Sequence, residues 1–306
     1  MKPRSILRLF AFVAAAALAL AQSEADTLLA RARELAGSGK FAEALPLFTR
    51  ATEIAPDNFR GHSGRASMLN FLHRYREGLA AIERAVELAP DNPLLYYNRA
   101  LSRAEVGRFA DAIADFDRAI AGRPELPHTY ADRASAKMSL GPLDEAMADC
   151  EAALTADANY IWAKYYRGQI HYLRGDFVSA AADFAAVTKE QPEFPAARLW
   201  QFLSDRRAGG PGDPDLLQVT DRAWPAALLG FFAGESDATV LLDRARAQRV
   251  VDDDRRESAA HVAIGLSRLF AGDSTGAKTS FARALEFGVP AHFEQQVART
   301  ELERLR

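Results

Sequence analysis

The chain has 306 residues, 49% of them hydrophobic and 26% charged, with a formal net charge of −3. That balance excludes a strongly basic nucleic-acid binder and a low-hydrophobicity disordered chain. A single cysteine, Cys150, excludes an intramolecular disulfide framework.

The first residues read as a targeting segment. Lys2, Arg4 and Arg8 precede an apolar run from Leu9 to Ala21 that closes on Ala19-Leu20-Ala21. A positive start, a short apolar stretch and an A-x-A end are the layout of a secretory signal peptide over residues 1–21. The run is too short for a helix crossing a hydrocarbon core of about 30 Å. Cleavage after Ala21 removes three positive charges and takes the net charge from −3 to −6. The mature chain is therefore expected outside the inner membrane, in a bacterial periplasm, and no cysteine near the cleavage point offers a lipid anchor; an uncleaved N-terminal anchor is the alternative.

From residue 22 to 194 the sequence repeats with a spacing of 34 residues. Pro56, Pro90, Pro124 and Pro192 share one register, with Ala158 in the vacant slot. Ala44, Gly78, Ala112, Ala146 and Ala180 share another, and Phe48, Ile82, Phe116, Cys150 and Phe184 a third. The expected repeats are 25–58, 59–92, 93–126, 127–160 and 161–194, each with a first helix A and a second helix B. In helix A the small residues Ala32, Ala66, Ala100, Ala134 and Gly168 let helix B approach closely. Gly39, Gly107, Gly141 and Gly175 mark the turn between helices, where a left-handed residue ends a helix. His73 holds that place in the second repeat. Phe41, Tyr75, Phe109, Leu143 and Phe177 fill the space beneath the turn, and Cys150, in a bulky-residue slot, is expected in the core.

Residues 195–257 are irregular. A helix is expected over 195–207 with Leu199, Trp200 and Leu203 inside, then a flexible stretch over 208–214, a Trp224-Pro225 segment, and a helix over about 237–248. A sixth repeat follows in 258–306. Gly265 is its small residue, Gly272 its turn, and Ala277, Phe281 and Ala284 its helix-B stripe. After a break at Phe287-Gly288-Val289-Pro290, a capping helix should turn Phe293, Val297, Leu302 and Leu305 inward.

No catalytic constellation emerges. The six histidines never pair at metal-ligand spacing, no phosphate-binding glycine loop occurs, and Asp252-Asp253-Asp254 reads as a solvated loop. No catalytic residue, metal or cofactor is assigned, and an enzyme is not expected. Arg65, Arg99, Arg133 and Arg167 recur in register, and so do Asp115, Asp149 and Asp183. Two readings arise, a structural ion pair between helices A and B or an anion-binding ladder; the in-register partners favour the structural one.

The repeat length and the placement of glycine, alanine, aromatic and proline resemble the tetratricopeptide repeat (TPR) family over residues 25–194. The resemblance implies an all-α fold: a right-handed superhelix, an α-solenoid, with helices A lining a concave groove. The Trp-Pro segment and isolated last repeat are also similar to envelope TPR lipoproteins of the NlpI type, adaptors that dock other envelope proteins. Groove positions implied by the family are Tyr97 and Asn98 in the third repeat and Asp132 in the fourth. In the fifth they are Trp162, Tyr165, Tyr166, Gln169 and Tyr172. The implied function is a non-catalytic adaptor that binds peptide segments of envelope proteins, without nucleic acid or small-molecule cofactor. Self-association through the aromatic surface is the alternative, and the C-terminal region could itself fold over these aromatics.

Overall fold

A computed structural model describes residues 3–218, 223–247, 255–287 and 292–306, and all regular structure in them is helical. The chain divides into two compact units, residues 1–125 and 126–306.

The N-terminal unit holds three helix pairs. They are α1 (Pro3–Gly37) with α2 (Phe41–Ile54), α3 (Phe59–Phe71) with α4 (Tyr75–Leu88), and α5 (Pro93–Glu105) with α6 (Phe109–Gly122). Side-chain caps start two of them: Asn58 accepts from the Arg60 amide and Asn92 from the Leu94 amide, each at 3.1 Å. Pro93 opens α5, where a missing N–H costs nothing. Inside, Leu29, Ala32, Ala44, Phe48 and Met68 form one cluster, and Leu69, Ile82, Ala85 and Leu95 belong to a second. His73 adopts φ 59°, the left-handed conformation its neighbours in the repeat register give to glycine.

Among the α1 residues whose side chains are described, Ala25 is the first that is buried, followed by Leu29 and Ala32. Upstream, Phe12, Val13 and Leu20 are exposed although the same helix continues through them. Among the described residues no helix is long and apolar enough to cross a membrane.

The C-terminal unit continues the pairing with α7 (Pro127–Leu140) and α8 (Leu143–Ala156), then α9 (Ile161–Arg174) and α10 (Phe177–Glu190). The helix α11 (Pro195–Arg207) packs on α10 and buries Leu199, Trp200 and Leu203 as expected. The glycine-rich stretch after it, read as flexible, is a tied turn instead. Asp205 Oδ2 accepts the Gly212 amide at 2.7 Å, and the Gly210 amide reaches the Asp205 carbonyl at 2.9 Å. A short 3₁₀ turn (Pro214–Leu217), α12 (Ala226–Phe232) and α13 (Ala238–Ala247) follow.

A further helix pair, α14 (Arg255–Phe270) and α15 (Ser274–Ala284), spans the stretch expected to be a sixth repeat. A Cβ on Gly265 would lie 2.5 Å from the Phe281 ring, so a side chain here would have to displace that ring. Asp273 caps α15 by accepting the Gly276 amide at 2.8 Å, which makes the glycine-flanked loop an ordinary inter-helix turn. The break at 288–290 and the acidic run 252–254 lie outside the described residues. The final helix α16 (Phe293–Arg304) buries Val297 and packs Phe293, Leu302 and Leu305 on the core. It contacts α14 and α15, and also reaches back to α9.

Candidate functional site

Three bidentate ion pairs tie helix A to helix B. Arg99 grips Asp115 at 2.7 and 2.8 Å, Arg133 grips Asp149 at 2.6 and 2.9 Å, and Arg167 grips Asp183 at 2.6 and 2.9 Å. The aspartates are buried, so these forks join the helices and leave no ladder of free arginines. The side-chain bond to Asp115 outweighs burial and holds the Arg99 guanidinium above its usual range, and Asp183 does the same for Arg167.

A second cationic position escaped the sequence reading. One helical turn after each arginine stand Arg103, Lys137 and His171, again 34 residues apart. Arg103 reaches Asp115 at 2.6 Å, Lys137 reaches Asp149 at 2.9 Å, and His171 Nε2 lies 3.9 Å from Asp183. In the last repeat Arg268 keeps this place but meets Ser280 Oγ at 3.0 Å, because serine stands where the others carry aspartate. The register itself held the signal: three basic residues in one column facing one column of aspartates.

Cys150 is fully buried, and burial pushes its thiol up to about 12, as a core residue should behave.

The aromatic residues of α9 divide into two sets. Tyr172 is buried among Phe177, Trp200 and Phe293, with ring centroids at 5.1, 5.1 and 6.4 Å. Tyr165 and Gln169 are buried as well, and Tyr165 packs between Phe184 and Phe194 at 5.6 and 5.1 Å. Burial raises both tyrosines well above the usual phenol range. The returning helix α16 explains this in part. Arg304 donates to the Tyr172 and Leu173 carbonyls, and Glu294 near its start acts electrostatically on Tyr165. Of the residues expected to line a groove, Tyr165, Gln169 and Tyr172 are thus packed inside the unit, out of a partner's reach.

The other set remains at the surface. Trp162 is 40% exposed and rests on Phe194, Tyr165 and Tyr166, with centroids 5.5, 6.0 and 6.2 Å apart. Tyr166 is half-buried and hydrogen-bonds Ser135; burial first, then the Asp132 charge, raises its phenol. Tyr160 belongs to the same group, pushed up to about 12 by burial and by Asp132. The result is a small aromatic shelf near Asp132 and Asp157, with Phe194 and Tyr160 as members that the sequence reading left out. In the N-terminal unit, Tyr97 and Asn98 are half-buried: Tyr97 lies 6.0 Å from the Phe116 ring, and Asn98 Nδ2 is 3.5 Å from Ser63 Oγ. Among the described residues no group of three metal-ligating side chains converges.

Family profiles described as tetratricopeptide repeat match residues 29–93, 72–131 and 127–160. The stretch 29–160 is built of tetratricopeptide repeats. No curated protein matches the chain. Among solved structures, a tetratricopeptide repeat protein from Parabacteroides merdae is similar over 92% of this chain and 99% of its own, at 15% identity and TM-score 0.55. PilW, a type IV pilus biogenesis factor, is similar over 61% of this chain and 87% of its own, at 17% identity and TM-score 0.57. PilF of Pseudomonas aeruginosa is similar over 70% and 92%, at 14% identity and TM-score 0.56. These likenesses establish the helical repeat fold.

Proposed function

We propose that the chain is an exported, non-catalytic TPR adaptor that binds a segment of an envelope protein on the aromatic shelf around Trp162. TPR proteins serve as scaffolds for protein or peptide partners, and the observation that carries the site is the 40% exposure of Trp162 on a bed of rings. An indole held by Phe194 and Tyr166 offers large, stiff contact area, and such residues dominate binding hot spots.

Export is supported by the exposed Phe12, Val13 and Leu20, apolar side chains that lie outside the core. The NlpI-type likeness and an envelope partner are part of this reading; PilW, described as a type IV pilus biogenesis factor, and PilF are similar in fold alone and lend no partner.

Site-specific photo-cross-linking tests it. A cross-linker at position 162 should capture an envelope protein, and one at Val178, 71% exposed on α10, should not. Equal capture from both positions, or cross-links only between copies of this chain, would contradict the adaptor. N-terminal sequencing of the exported form should begin at Gln22.

A further inference from the structure

A second site lies apart from the shelf. Between α11, the Trp224-Pro225 segment, α12, α14 and the start of α16 the C-terminal unit leaves a cavity of about 70 Å³. That is several times the 10–15 Å³ or so that one water needs. Leu199, Trp200, Trp224, Pro225 and Val262 are among its apolar walls, and the only charged side chain among its described lining is Glu294. Of its lining residues Pro225 is exposed and Trp224 half-buried, which places this wall at the surface.

Glu294 stands in the first turn of α16, where the helix dipole and its own backbone amide favour the ionised form. Burial outweighs both, and outweighs the charge of Arg255, so the carboxyl is held above its usual range. Among the described residues it has no ion-pair partner. Glu294 is half-buried by its surface exposure, and an ionised carboxylate on that apolar side is costly until a cation meets it. Aromatic side chains beside a carboxylate are the surroundings that a desolvated organic cation prefers, since the ring quadrupole attracts ammonium groups. Neither a metal nor an anion fits: there is one oxygen-bearing side chain for the first, and the wrong sign for the second.

We propose that this cavity binds a small organic ammonium ion, with Glu294 as counter-charge and Trp200 and Trp224 as aromatic walls. The site is independent of the partner shelf and stands or falls without it.

Titration of the full chain with tetramethylammonium chloride, followed through the tryptophan indole N–H resonances, tests the proposal. The Trp200 and Trp224 signals should shift saturably while Trp162 stays in place. Glu294→Gln should weaken binding at least about tenfold, the loss expected when a desolvated charge pair is removed. Ala196→Leu, which fills the rim and leaves Glu294 intact, should abolish the shifts, and serves if the first variant fails to fold. The neutral isostere tert-butanol should bind more weakly than the cation. Absence of a saturable shift, equal binding of tert-butanol, or undiminished binding by a folded Glu294→Gln would overturn the proposal.

Discussion

Arg304 Nη2 donates to the main-chain carbonyl of Leu173 at 2.8 Å, and so a residue of the last helix closes the C-terminal end of α9. Carbonyls in a final helical turn lack intrahelical partners, and a cation there also meets the negative end of the dipole. Glu301, 1% exposed, holds Arg304 at 2.5 Å and Arg207 at 2.6 Å, which fixes the direction of the guanidinium. Gly175 belongs to the same arrangement, since a Cβ there would stand 3.2 Å from Arg304 Nη2. Replacing Arg304 by alanine should loosen α16 at a cost of about 1–2 kcal/mol. Amide exchange over residues 293–304 should accelerate while that of α7 and α8 stays unchanged. Unaltered exchange in α16 would mean that its apolar face alone holds it.

The buried forks between helices A and B should matter more than the surface pairs. Asp149 is 4% exposed and meets both Arg133 and Lys137. Asp149→Ala leaves two cations facing a desolvated gap and should cost about 3–5 kcal/mol in urea unfolding. Glu34→Ala, which removes the exposed Arg31–Glu34 pair, should stay within about 0.5 kcal/mol.

His73 occupies a left-handed turn with φ 59°, where an L side chain is strained. Its Nδ1 lies 2.6 Å from Tyr75 Oη, a contact that offsets part of the strain. His73→Gly should raise stability by about 0.5 kcal/mol, the relieved strain exceeding the lost contact and the added freedom of the unfolded chain. Thermal unfolding reads the sign directly.

His261 is buried against the Phe287 ring at a centroid distance of 5.5 Å, and its Nε2 has no hydrogen-bond partner among the described residues. Burial and the nearby Arg283 and Arg246 outweigh Glu257 and Glu286 and hold the imidazole below its usual 6.5. The unfolded chain therefore binds the proton more readily. This contribution to stability is present above pH 6.5 and is lost as pH falls from there through the folded value. His261→Leu should flatten the stability profile between neutral and mildly acidic pH relative to wild type; parallel profiles would contradict the assignment.

Much of the fold was legible because each repeat states its packing locally. The small residue at Gly265, the turn at Gly272 and the helix-B residue Phe281 follow from one register, and the close approach of Gly265 to Phe281 is the physical content of that register. The Arg–Asp columns were readable for the same reason. The fate of Tyr172 was not. Its burial depends on Phe293 and Arg304, more than 120 residues away, and no period relates α16 to α9. The turn over 208–214 misled for a different reason: glycine and proline announce a turn, and only Asp205, placed before it, tells that the turn is tied down.

The central claim is that Trp162 and Tyr166 form the surface on which a partner docks. Capture from envelope extract by wild type and by a Trp162→Ala, Tyr166→Ala double variant tests it most directly, with helicity measured for both. The account predicts that wild type retains a partner and that the double variant, equally helical, loses it. The same partner retained equally by both proteins would assign these aromatics to the fold and contradict the claim.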